Sequence, residues 1–559
     1  MRPQPPASRR RSPHSSARLA LGAALASAVL LAGAGAARAG TSRSVEDCEA
    51  IVRSSLAGAH VTSAAVVPAG GFATADPDLK SRSQALGSFC RVRLQAEPSP
   101  TSEVGIEVWL PMENWNGRFL GTGNGGGAGA IAYGMGMMEG LRRGFAVANT
   151  DMGTAPDINT TVDQPERWID FGYRATREMT RLGKTVVADF YEVETFRAYF
   201  AGCSTGGQQA LAAALRDPDA YDGVLAGDPG NNRTHVATSF LWNHNALNQT
   251  PASALTAANW SLVSSTVLAA CAGRDGGAPG DRFLTDPRQC RFDPASLPAC
   301  PDDAADDGCL TRSQLATVRK LYAGAVNPRT GERIYAGLTP GSEDQPLGPL
   351  MQGDPAVWPA QQFYPFHWAL GASFETRTFD FDRDLDQMDA RLAGTLNANG
   401  VDFADFERRG GKLILYTGLA DPAVPYEEVA HYYERLVEAG GGLDQARGFA
   451  RLFLVPGMGH CFGGPGATDF GQPFTTSASG LPGTDILTAL VVWTEGGAAP
   501  ERLIARHPNP GPEAPVERPL CAYPGLPIYR GGDSRQADAF TCETAPTGGL
   551  RAPAKRYLN

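Results

Sequence analysis

Between Gly202 and Gly206 the chain reads GCSTG, and the residues on either side leave few options for the fold. Upstream, AYFAG is apolar and suited to a buried strand; downstream, QQALAAALRD consists mainly of strong helix formers. A serine held between glycines at a strand-to-helix junction marks a sharp, strained turn that leaves its hydroxyl exposed. The glycines are required because the turn brings helix and strand backbones so close that a side chain would collide. Such a turn predicts a mostly parallel sheet wrapped by helices, an α/β fold.

The flanking segments repeat this grammar. From Cys90, CRVRLQA and SEVGIEVWLP alternate apolar and polar residues, as strands with one buried face do. RFLGTGNGGGAG breaks into glycine, GFAVANTDMG returns to an apolar strand, and YRATREMTRLGKTVVADFY carries apolar positions at helical spacing into FRAYFAGCS. Between roughly residues 231 and 410 the pattern changes to four cysteines, many Pro and Asp, and scattered aromatics. This predicts an insertion that covers the core. Alternation resumes with the strand GGKLILYTGLADPAVP, the helix YEEVAHYYERLVEAGG and the strand GFARLFLVPGMGHCFGG. The expected organisation is therefore a core in two parts, 40–230 and 411–559, around an inserted lid at 231–410. At 559 residues the chain is long enough for such a core.

Residues 1–39 stand apart. Three arginines, Arg9 to Arg11, precede an apolar run from Leu19 to Ala37 that ends in ARA, the pattern of a secretory signal peptide with its cleavage box. No later stretch reads as apolar enough to span a bilayer. Loss of the leader would remove six arginines and no acid, leaving 43 basic against 59 acidic residues, a net charge of −16. A surface so acidic repels nucleic acid and anionic membranes, so the expected partner of the exported protein is a small molecule. The ten cysteines, Cys48, Cys90, Cys203, Cys271, Cys290, Cys300, Cys309, Cys461, Cys521 and Cys542, all follow the leader. An even count in an exported chain predicts five disulfides, and the absence of any C-x-x-C pair argues against a metal cluster.

A serine hydroxyl is a poor nucleophile unless a base takes its proton and a carboxylate holds the base. In folds with this turn the chain order is serine, acid, histidine. His460, on the glycine-rich loop directly after an apolar strand in VPGMGHCFGG, fits the base; the other histidines after the turn, His235, His244, His367, His431 and His507, read as lid or surface residues. Asp421 in LILYTGLADPAVP fits the acid, with Asp228 in AGDPG in reserve. Oxyanion donors are expected from the amide of Thr205 and from Gly125 or Gly126 in GNGGGAG. That glycine run is a poor dinucleotide fingerprint, because no helix with a suitably spaced acidic partner follows it. Cys203 directly precedes the serine and Cys461 directly follows the histidine. A disulfide between them would clamp the two loops and, by chain entropy, stabilise the fold by about 5 kcal/mol.

With GCSTGG at Ser204, TGLADPAVP at Asp421 and VPGMGHCFGG at His460, joined by WNGRFLGTGNGGGAG, CRFDPASL and RPLCAYP, the chain resembles the tannase and feruloyl esterase family from about Cys48 to about Cys542. The resemblance implies an α/β-hydrolase core with an inserted lid. It also implies the disulfides Cys48–Cys90, Cys203–Cys461, Cys271–Cys290, Cys300–Cys309 and Cys521–Cys542, and a serine carboxylic-ester hydrolase acting on feruloyl, galloyl or terephthaloyl esters. No cofactor is expected for catalysis. The family's lid calcium loop corresponds to CAGRDGGAPGDRFLTDP, where Asp275, Asp281 and the carbonyls of Gly277 and Phe283 remain as candidate ligands and Ala272 stands in place of the first acid. The aromatics of WPAQQFYPFHWALGASF are candidates for ring stacking or lid core. Two other readings share the sequence features: a serine peptidase with the same residues, and a non-catalytic disulfide-rich binding protein.

Overall fold

The computed structural model describes residues 42–347, 362–475, 479–508, 516–544 and 550–558. The leader read at 1–39 lies outside them. Nine strands form the main sheet: β1 Ala59–Val67, β2 Phe89–Ala96, β3 Val104–Pro111, β4 Arg118–Thr122, β5 Ala146–Thr150, β6 Arg197–Cys203, β7 Gly223–Gly227, β8 Lys412–Gly418 and β9 Ala450–Val455. Their order is β1-β2-β3-β5-β4-β6-β7-β8-β9. The β1–β2, β2–β3 and β3–β5 pairs are antiparallel; every pair from β5 through β4, β6, β7 and β8 to β9 is parallel. This is the α/β-hydrolase arrangement. Two of the strands were hidden in the sequence: β1, none of whose residues is buried, and β4, which runs into the glycine loop after only five residues.

Strands β6 to β9 are buried along almost their whole length, as parallel strands covered on both faces must be. Helix α1, Ala175–Tyr191, buries Met179, Leu182, Val186, Val187 and Phe190, one face at spacings of three and four. Helix α2, Thr205–Arg216, leaves the end of β6 and packs on β6 and β7. Because β6, β7, β8 and β9 are adjacent and parallel, the loops leaving their carboxyl ends gather at one edge of the sheet.

Between β7 and β8 the described residues add no strand to the main sheet. They carry helices α3 (Arg233–Leu247), α4 (Ala257–Cys271), α5 (Arg312–Ala323) and α6 (Arg383–Leu396). The stretch Pro251–Cys271 does reach the length and mean hydropathy, 1.3, of a membrane span, contrary to the expectation from sequence. It contains a 3-10 turn and α4, and buries Trp260, Val263 and Val267 in clusters with other residues of the inserted segment. After β9, helix α7 (Ile486–Gly496) packs against β7 and β8, and two small antiparallel sheets follow it, Arg502–Arg506 with Glu517–Cys521 and Gly525–Tyr529 with Phe540–Thr544.

Candidate active site

Ser204 lies between β6 and α2 at φ 63° and ψ −121°, a conformation that costs a residue with a side chain. The backbone fixes it there: its N–H donates to the Gly227 carbonyl (3.0 Å), and its own carbonyl accepts from Gln208 and Gly230 (3.1 Å each). Glycine is needed where the backbones cross. A Cβ on Gly202 would stand 2.4 Å from the Gly206 carbonyl oxygen, and one on Gly123 would stand 2.4 Å from Gly206 Cα.

His460 is on the loop after β9, with its side chain 11% exposed. Its Nε2 is 2.8 Å from Ser204 Oγ and its Nδ1 is 2.7 Å from Asp421 Oδ2. Asp421, fully buried after β8, is held by the amides of Ala423 (2.7 Å) and Val424 (3.0 Å), which donate to its other oxygen. A carboxylate facing Nδ1 selects the Nδ1–H tautomer and leaves the Nε2 lone pair for the serine hydroxyl. Burial disfavours the imidazolium, but the Asp421 carboxylate and, behind it, Asp228 outweigh burial and raise the pKa of His460 above that of an ordinary imidazole. The three residues singled out in the sequence are thus brought together in one hydrogen-bonded relay.

Asp228, the reserve acid, does not touch the imidazole nitrogens. Its Oδ1 accepts from the Thr417 hydroxyl (3.0 Å) and the Gly418 amide (2.8 Å), and its Oδ2 from the Cys461 amide (2.9 Å). It therefore ties the loops after β7 and β9 to the carboxyl end of β8. Burial first, then the nearby Asp421 carboxylate, push its pKa well above the usual carboxylate range.

Beside it, Cys203 and Cys461 form a disulfide across 258 residues of sequence, and the other pairs are Cys48–Cys90, Cys271–Cys290, Cys300–Cys309 and Cys521–Cys542. Replacing Cys203 and Cys461 together with Ala should lower kcat/KM by about 100-fold, the scale of a misplacement near 1 Å. The comparison is made at a temperature where circular dichroism shows the variant folded; an unimpaired folded variant would remove the clamp from the argument.

Ser204 and His460 open onto a cavity of about 390 Å³. Gly125, Gly126 and Thr205 line it, and among the described residues their amides take no acceptor of the chain's own. Apolar groups from Phe240, Val236, Phe462 and Phe474 supply much of the remaining wall, Phe462 and Phe474 being stacked at 4.9 Å. Phe462 is 55% exposed, unusual for so large an apolar side chain. Of the aromatic stretch read as possible stacking groups, Trp358 lies outside the described residues, whereas Phe363, Tyr364, Phe366 and Trp368 are buried in the core. None of His235, His244, His367, His431 and His507 lines the cavity. His235 lies in the inserted segment, as read, and is 1% exposed, with Nε2 2.8 Å from Asp389 and Nδ1 2.6 Å from Asn232.

The family model of tannase and feruloyl esterase matches residues 90–543, a span that includes Ser204, Asp421 and His460. The chain belongs to the tannase and feruloyl esterase family. It is accordingly a carboxylic ester hydrolase. An uncharacterised esterase of Xanthomonas campestris pv. campestris is 37% identical, over 91% of this chain and 94% of that one. A mono(2-hydroxyethyl) terephthalate hydrolase of Piscinibacter sakaiensis is 31% identical over 79% and 82%. The crystal structure of feruloyl esterase B from Aspergillus oryzae superposes with a TM-score of 0.80 at 27% identity, covering 89% of this chain and all of that one.

The calcium loop expected of a tannase and feruloyl esterase family member is filled differently here. Asp275 accepts from the amides of Gly277, Thr285 and Asp286; Asp281 accepts from the Ala278 amide (2.8 Å) and from Arg518 Nη2 (2.7 Å). Every carboxylate oxygen of the pair already has a donor, and one of those donors is a guanidinium. Asp281 and Arg518 have side chains only 7% and 5% exposed. A calcium ion needs several free oxygen ligands and would be repelled by Arg518, so these residues, with the carbonyls of Gly277 and Phe283, do not fit one.

Arg233 is the functional candidate that sequence reading missed. It begins α3, is 6% exposed and lines the Ser204 cavity, yet NNRTH has no motif that would single it out.

Proposed function

We propose that this protein is an exported serine esterase that cleaves esters of aromatic acids through an acyl-enzyme. The observation that carries the reading is the continuous relay from Ser204 through His460 to Asp421. In this reading Ser204 Oγ attacks the ester carbonyl carbon while His460 Nε2 takes its proton, and the buried Asp421 carboxylate stabilises the resulting imidazolium. The tetrahedral oxyanion is received by the amide of Thr205 and that of Gly125 or Gly126, each worth about 3 to 4 kcal/mol in the transition state. Collapse breaks the ester C–O bond, and His460 returns the proton to the departing alcohol. Water, activated by the same imidazole, then attacks the acyl-serine and releases the acid.

Support for an aromatic acyl group comes from the phenyl-lined cavity and from the feruloyl and terephthalate esters named for the relatives. Support for export comes from the leader pattern at 1–39 and from five disulfides, which persist in oxidising compartments. Family membership weighs against the peptidase reading, and the intact relay weighs against a non-catalytic binding protein. The test is hydrolysis of methyl ferulate, methyl gallate, mono(2-hydroxyethyl) terephthalate and p-nitrophenyl butyrate by the folded, oxidised protein. Turnover of at least one aromatic ester with kcat/KM well above that for the butyrate is expected; the reverse order would overturn the aromatic assignment.

A further inference from the structure

Arg233 is a buried cation without a buried anion. Its Nε donates to Tyr364 Oη (2.7 Å), and its Nη2 to the Gly126 carbonyl (2.7 Å) and Thr205 Oγ1 (3.1 Å). The ring centroids of Phe171 and Tyr364 lie 5.3 and 5.8 Å from its guanidinium carbon. Among the described residues no carboxylate lies within 4.0 Å of it, and Nη1 takes no acceptor. A desolvated charge held only by neutral groups is costly unless something of opposite sign completes it. The contacts that do exist, two hydrogen bonds beside the Ser204 turn and one to a phenol, fix the guanidinium plane in the wall of the cavity that Ser204 occupies. A planar, permanently charged fork is also the group best matched to a carboxylate, and it loses less on desolvation than an ammonium.

We propose that Arg233 is a specificity-determining residue that receives a carboxylate on the substrate, so that the preferred esters are those whose aromatic acyl part carries a second, free carboxylate. This rests on the reading that Ser204 is the nucleophile in this cavity. The rest of the wall agrees with such a substrate: Phe462 and Phe474 supply apolar ring surface, and the guanidinium offers the polar end. The whole chain carries a net charge of −10, so the recognition of an anion has to be local. Arg233 also braces Gly126 and Thr205, and a brace alone would affect all esters alike.

The two roles separate by comparing an acid with its uncharged amide. In a Ser204→Ala background, 4-acetylbenzoate and 4-acetylbenzamide are titrated by calorimetry; both carry a ketone in place of the ester and are not hydrolysed. The acid should bind at least about tenfold more tightly, and Arg233→Met should erase that ratio while Arg233→Lys keeps part of it. In turnover, Arg233→Met should reduce the kcat/KM ratio of monomethyl terephthalate to methyl 4-carbamoylbenzoate by about tenfold or more. Equal binding of acid and amide in the Ser204→Ala protein would overturn the proposal even if Arg233→Met does not fold. So would an Arg233→Met protein that loses both substrates equally, which would leave the brace. Failure of the serine reading has a different signature, turnover that survives Ser204→Ala, and the ketone titration still decides Arg233 in that case.

Discussion

Ser204→Ala is expected to lower kcat by about 10⁶-fold on any ester that the wild type hydrolyses, a loss of about 8 kcal/mol in transition-state stabilisation. The size follows from what the substitution removes: without Oγ there is no covalent route, and His460 Nε2, 2.8 Å from that oxygen, has no nucleophile to activate. The fold should be untouched. Alanine keeps the Cβ, so the strain at φ 63° is the same, and the three hydrogen bonds that hold residue 204 in its turn are all made by the backbone. A melting temperature within a few degrees of wild type, together with loss of labelling by a fluorophosphonate, is the expected pair of results. A residual rate is expected from the amides of Thr205 and the glycine loop acting on a direct attack by water. A folded Ser204→Ala protein that still labels would mean that another residue is the nucleophile.

Much of this arrangement could be read from the sequence because its parts are local. Ser204 is announced by a strand, two glycines and a helix within some twenty residues, and Asp421 and His460 each follow an apolar run that can only be a buried strand. Chain order then does the rest, since parallel neighbours deliver their following loops to one edge. The Cys203–Cys461 link was legible for the same reason, each cysteine being next in sequence to a residue already singled out. What stayed hidden depends on contacts between distant segments. Asp228 looks like any turn aspartate before proline; its part in joining the loops after β7 and β9 to the end of β8 appears only when Thr417, Gly418 and Cys461 are folded around it. Arg233 is one arginine among many until Tyr364, Gly126 and Thr205 converge on it. The contact that bears on the calcium expectation is of this kind too, since Arg518 reaches Asp281 across 237 residues of sequence.

The second large effect is expected at Asp421. Asp421→Asn should lower kcat by about 10⁴-fold with the geometry preserved. The side-chain oxygen that accepts from Ala423 and Val424 survives in asparagine, so the new amide nitrogen is turned toward His460 Nδ1. An amide there donates, which fixes the proton on Nε2 and leaves nothing to accept the proton of Ser204. The pH profile adds an independent reading. Catalysis needs the neutral imidazole, so activity rises with pH as His460 loses its proton, and its raised pKa puts the midpoint of that limb above the ordinary imidazole value of about 6.5. Removal of the Asp421 charge takes away the main stabiliser of the imidazolium, and the limb should move to lower pH in the variant. Asp228→Asn is the control for the two acids. It removes a weaker influence on His460 and leaves Nδ1 with its partner, so it should shift the limb less and cost far less rate. If Asp228→Asn proved the more damaging of the two, the acid of the relay would have to be reassigned and the His460–Asp421 contact would be one of support alone.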